Sequence, residues 1–127
     1  MKKTELFSKY LSEEGYSPRI DSDGDITFKR EGLTFCLFAA ENDQEFFRLA
    51  LPNIYPIDSE DERRRVIAAA NAATGAVKVG KVFTVGDNVW VSVEMLVDPI
   101  ENFSKVFSRS LAIIAACVQR FREGMTK

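Results

Sequence analysis

The amino-acid sequence predicts an α+β domain with the element order α-β-β-β-β-α-β-β-α. Two kinds of periodicity carry that prediction. Apolar residues recur at spacings of three and four near residues 4–14, 59–75 and 99–123, which is the pattern of a helix with one buried face. Between these segments lie short runs that alternate apolar and polar residues or are continuously apolar, as strands do. At 127 residues the chain suits a single domain, residues 1–127, and no repeat, low-complexity tract or linker divides it.

Residues 4–14 form a first helix with Leu6, Phe7, Tyr10 and Leu11 on one stripe and Gly15 as its stop. Four strands follow. Tyr16 to Ile20 leads into Asp21-Ser22-Asp23-Gly24-Asp25, where Asp-Gly signals a tight turn. Asp25 to Arg30 puts Ile26 and Phe28 on one face, Glu31-Gly32 turns the chain, and Leu33 to Ala39 runs almost wholly apolar. A polar loop then precedes Phe46 to Leu51, which Pro52 stops. Ser59, with Glu62 three residues on, predicts a capping box at the start of a second helix. Val66, Ala69, Ala70 and Ala73 line a small-residue face of that helix, and Gly75 closes it. Val77 to Phe83 and Val89 to Val97 are two further strands, the second with Val91, Val93 and Met95 on one face. Asp98-Pro99-Ile100-Glu101 predicts a second capping box. It opens a last helix striped by Ile100, Phe103, Phe107, Leu111, Ile114, Val118 and Phe121 and stopped at Gly124.

Composition removes whole classes of chemistry. There is no histidine, so Ser-His-Asp and Cys-His sites and histidine-ligated metals are excluded. A net charge of −2 gives no general attraction to nucleic acid or an anionic membrane. No apolar segment follows Met1-Lys2-Lys3, and the longest apolar run, Leu111 to Val118, is far too short for a span. A cytoplasmic location is the expectation. Cys36 and Cys117 then read as buried free thiols, and the Asn102-Phe103-Ser104 sequon falls inside a helical pattern.

The remaining motifs fail on residue type or element order. Gly75 to Lys81 approaches a phosphate-loop pattern, but Val82 replaces its Ser or Thr and a helix stands where the strand should be. Asp21, Asp23 and Asp25 lack the glycine and glutamate of a calcium loop and read as a hairpin turn. Arg63-Arg64-Arg65 follows Glu60 and Asp61 at the spacing of helix-surface ion pairs, Glu60 with Arg64 and Asp61 with Arg65. Arg120 and Arg122 suit the negative end of the last helix. No cofactor, metal or catalytic residue is expected, and neither is an enzyme.

One apolar surface is unaccounted for. If Val91, Val93 and Met95 face the helices, the opposite sheet face carries Cys36, Phe38, Phe46, Ala50, Trp90 and Leu96 among Thr27, Thr34, Arg48, Ser92 and Glu94. Either the second helix or irregular chain covers it, or it is a partner or ligand surface. Phe38, Phe46, Trp90 and Leu96 are its candidate partner-binding residues.

Gly15-Tyr16, Asp23-Gly24-Asp25-Ile26, Asn71 and Val91-Ser92-Val93-Glu94, with the element order, resemble the bacterial YbjN-type family over roughly residues 5–123. Its members are labelled candidate sensory transduction regulators and share the fold of type III secretion chaperones. The resemblance implies three helices packed on an antiparallel sheet, a homodimer, and binding of protein segments, with no catalytic residues to carry over. The expected function is thus a chaperone-like, protein-binding or regulatory module that holds a partner segment on the apolar sheet face or a sheet edge. The alternative is a small-molecule sensor with an apolar pocket between sheet and helices, against which the bulk of Phe35, Phe103 and Phe107 argues. The partner is a protein; neither nucleic acid nor membrane is expected.

Overall fold

The computed structural model describes residues 1–126. The elements are α1 (Lys3–Glu13), β1 (Arg19–Ile20), β2 (Ile26–Arg30), β3 (Leu33–Phe38), β4 (Phe46–Leu51), α2 (Glu60–Ala76), β5 (Gly80–Val85) and β6 (Asn88–Leu96). A 3-10 helix at Ile100–Lys105 then leads into α3 (Phe107–Met125). The six strands form one antiparallel sheet in the order β1-β2-β3-β4-β6-β5. The α+β class and the order α-β-β-β-β-α-β-β-α are as the periodicities predict.

The helices gather on one face of the sheet. Inward-facing Ile26, Phe28, Leu37, Phe47, Leu49, Val91 and Val93 are buried against them. Phe7 of α1 meets Phe103 edge-on at 4.8 Å between ring centroids, and Phe28 lies 5.9 Å from Phe107. All seven residues of the predicted stripe from Ile100 to Phe121 are buried. Two glycines set how closely the layers approach. A Cβ on Gly80 would stand 2.6 Å from Cys117 Sγ on α3, and one on Gly124 would stand 2.9 Å from Ala69 Cβ on α2.

Several boundaries differ from expectation, each for a physical reason. Strand β1 is only two residues long, because Tyr16 turns inward onto Phe28 instead of pairing. Gly75 and Gly124 are helical rather than stops; Gly124 is small because α2 passes against it. Strand β5 begins at Gly80 rather than Val77, since α2 continues to Ala76 and the turn runs through Val79 at φ +71°. The capping box at Ser59 forms, with the Glu62 amide donating to Ser59 Oγ at 3.1 Å. The Glu62 carboxylate reaches one residue further back than the usual box, accepting from the Asp58 amide at 2.7 Å. The box expected at Asp98 does not form: Pro99 is extended (ψ 156°) and caps the 3-10 helix without a side-chain bond. The arginine pairs are also reassigned. Arg64 pairs with Asp61 at 3.0 Å, while Arg63 turns to Glu60 and, across the β5–β6 turn, to Asp87 and the Gly86 carbonyl.

Lys3 is buried, a placement its sequence context does not suggest. Its ammonium donates to the Phe46 carbonyl at 2.7 Å and to the Asp43 carbonyl, and its backbone amide donates to Glu41. The start of α1 is thereby fastened to the loop entering β4. Burial lowers the ammonium pKa from its usual value against the opposing pull of Asp43 and Glu41.

Candidate functional site: the outer sheet face

Strand register decides what the outer face carries, because residues directly across a ladder share a face. One row runs Cys36, Ala50, Ser92, Lys81 across β3, β4, β6 and β5. The next runs Phe38, Arg48, Glu94. Phe83 stands opposite Trp90, and Phe46 opposite Leu96. The aromatic side chains buried against the helices, among them Phe28, Phe35 and Phe47, have the opposite parity, so among the described residues no helix roofs this face.

The face instead makes its own partial roof. Ala50 and Ser92 are both 0% exposed, set among the larger Phe38, Arg48 and Trp90 of the same face. The Arg48 guanidinium carbon lies 4.2 Å from the Phe38 ring centroid and 5.9 Å from that of Trp90. Phe38 and Phe83 flank Trp90, each with a centroid 6.4 Å away. The Trp90 indole donates to Asn53 Oδ1 at 3.2 Å. The polar centre is Glu94. It accepts from Lys81 at 2.9 Å and from the Ser92 hydroxyl at 2.8 Å, and Arg48 Nε approaches its carboxylate at 3.5 Å. That Nε is buried and makes no hydrogen bond, so Glu94 meets it as a counter-charge only.

The four candidate residues all lie on this face. Phe38 and Trp90 stack together, Phe46 and Leu96 pair across the ladder, and Arg48 and Glu94 sit between the two pairs. Phe38, Phe46 and Trp90 are half-buried; Leu96 is 72% exposed. Phe83, Lys81 and Asn53 were not foreseen as members. Gly86-Asp87 between Val85 and Asn88 is a two-residue hairpin turn, and counting back from it places Phe83 opposite Trp90.

Burial, with the nearby Asp25 and Asp21 carboxylates, pushes the Cys36 thiol up to about 12, so it carries no thiolate at neutral pH. Burial also raises Cys117. The Asp21, Asp23 and Asp25 carboxylates converge, but as a turn: Asp21 Oδ1 accepts from the amides of Asp23 and Asp25 at 2.9 and 3.0 Å, and Asp25 accepts from Ala39. Both sheet edges are partly blunted: strand β1 has only two residues, and on β5 the Thr74 hydroxyl bonds to the backbone of Val82. Among the described residues no helix is long and apolar enough to cross a membrane.

Three helices on one face of a six-stranded antiparallel sheet, with the other face open, define a fold that solved structures share. A crystal structure of an uncharacterized protein from Methanothermobacter thermautotrophicus is similar at a TM-score of 0.64 and 13% identity, over 98% of this chain and 97% of that one. YbjN of E. coli, described as a candidate transcription regulator, is similar at a TM-score of 0.64 and 14% identity, over 90% of this chain and 87% of its own. At these identities the likeness is one of fold. No family model matches the sequence, nor does any curated protein.

Proposed function

We propose that this chain is a non-enzymatic protein-binding or regulatory module of the cytoplasm whose outer sheet face holds a segment of a protein partner. The observation that carries the reading is the open face itself: Phe38, Phe46, Phe83, Trp90 and Leu96 surround an arginine and a carboxylate, with no helix of the described residues over them. Aromatic residues and arginine are the types enriched where protein partners anchor. The blunted edges favour the face over strand addition. The chaperone-like resemblance points the same way, and a homodimer belongs to the same proposal.

Trp90→Asp and Phe38→Asp should abolish partner capture or dimerisation while leaving the circular dichroism spectrum unchanged. Capture from source-cell lysate, run beside light scattering, reads both. If both variants unfold, the face is core and the reading fails.

A second reading, small-molecule sensing, has one observation in its favour. A groove of about 900 Å³ between the strands and α3 is floored by Leu33, Phe35, Leu51, Leu111 and Val118. It lies outside the filled interior, where Phe103 and Phe107 are each 1% exposed. A ligand-dependent rise in melting midpoint supports this reading, and a flat screen against metabolites and lipids removes it.

A further inference from the structure

A second surface stands apart from the outer sheet face and shares none of its residues. Where α2 ends, the turn through Val77, Lys78 and Val79 lies against α3 and leaves a groove of about 730 Å³. Its floor is apolar, with Val77, Val79, Met95, Val106 and Ile113. Val79 is 53% exposed there and is held at φ +71°, a conformation that a β-branched residue rarely adopts. The rim is cationic, formed by Lys78, Arg109 and Arg120 with no Asp or Glu among the lining residues. Among the described residues none of these three cations makes an ion pair or a side-chain hydrogen bond. In a chain with 19 acidic against 17 basic residues, such a segregated site is informative.

The spacing of the cations selects among anionic partners. Arg109 and Arg120 are three helical turns apart on α3, roughly 16 Å at 1.5 Å per residue, and therefore project from the same side of the helix. A single lipid headgroup cannot meet both. A bilayer surface offers no pair of anions fixed at that spacing, and a nucleic acid backbone has no use for a floor of valine, methionine and isoleucine. A helix satisfies all three features. Its apolar stripe would cover the floor, and carboxylates three turns apart would meet the two arginines. Ala112 and Ala116 leave room for close approach. We propose that this groove docks an acidic amphipathic helix of another protein, lying along α3 with its carboxylates on Arg109, Arg120 and Lys78.

The test uses the full chain and two labelled synthetic peptides. One is an amphipathic helix of leucine and alanine with glutamates eleven residues apart; the other carries lysines at those positions. Fluorescence anisotropy should show the glutamate peptide binding more tightly, with affinity that falls as salt rises. Arg109→Glu combined with Arg120→Glu should weaken the glutamate peptide by about tenfold and strengthen the lysine peptide, as partly exposed charge pairs do. Both arginines are exposed, and circular dichroism checks that the variant is folded. Trp90→Asp should leave peptide binding unchanged, which separates this site from the sheet face. Equal binding of the two peptides, no binding of either, or no effect of the double reversal overturns the proposal. So does tighter binding of phosphatidylglycerol vesicles or of a single-stranded oligonucleotide than of the glutamate peptide.

Discussion

The Thr74 hydroxyl lies against the outward backbone of Val82, accepting from its amide at 2.9 Å and facing its carbonyl at 3.4 Å. A threonine near the end of α2 thus stands where the next strand of the sheet would otherwise pair. Thr74→Val keeps the shape and removes both contacts. It should cost about 1 kcal/mol in urea unfolding, the net worth of a hydrogen bond whose partner is left partly buried. A variant as stable as the parent would show that water satisfies the Val82 backbone groups instead.

Gly124 and Ala69 give opposite answers depending on which effect dominates. Glycine inside a helix costs up to about 1 kcal/mol relative to alanine, so propensity alone favours Gly124→Ala. A Cβ there would stand 2.9 Å from Ala69 Cβ and 3.2 Å from its Cα, contacts that α2 and α3 must separate to relieve. Overpacking of this kind costs about 1–3 kcal/mol, which outweighs the propensity gain. Gly124→Ala should therefore destabilise by about 1–2 kcal/mol net, and Ala69→Gly in the same chain should recover part of the loss. A stabilised single variant would mean the helices part freely.

The same glycine marks where sequence reading stops. A glycine near a helix end reads as a stop because left-handed backbone is its commonest use, and Gly15 at φ +93° bears that out. Gly124 has the same local signature, but its role comes from Ala69 on α2, far away in the chain. Periodic features were legible: the stripe from Ile100 to Phe121, which runs through the 3-10 helix into α3, and the alternation of β6 depend only on near neighbours in the chain. The Phe38–Trp90 side of the candidate face was legible for that reason, since parity along each strand fixes its face. Phe83 and Lys81 take their face from the register that the Gly86-Asp87 turn sets against β6, not from any pattern within β5. Lys3 was illegible because its partners are backbone carbonyls, which no residue type announces.

Glu94 predicts an acid-sensitive link within the outer face. Burial pushes its carboxyl up, but the donors Lys81 and Ser92 and the charges of Lys81 and Arg48 outweigh it and hold it below the usual carboxylate range. A folded pKa below the unfolded one means that stability is fully present above the unfolded value, about 4.3, and is lost as pH falls through the folded one. Glu94→Gln should cost about 1–2 kcal/mol at neutral pH, because Arg48 Nε loses the charge facing it. The gap between parent and variant should close as urea unfolding is repeated toward acid pH. A gap independent of pH would assign the loss to packing rather than to the carboxylate charge.

Val79 sets stability against binding. Its left-handed backbone costs about 1–2 kcal/mol for a β-branched residue, and asparagine accepts that conformation with far less penalty. Since Val79 is 53% exposed, replacing it forfeits only part of a buried valine, less than about 1 kcal/mol. Val79→Asn should therefore raise the urea-unfolding free energy by about 0.5–1 kcal/mol. The same change puts an amide on the floor of the cationic groove, so the glutamate peptide should bind more weakly to the more stable protein. Strain retained at an exposed apolar residue is the pattern of a surface kept for contact rather than for folding. A variant that is both less stable and unchanged in binding would sink the argument, because neither the backbone conformation nor the groove floor would then explain why valine stands there.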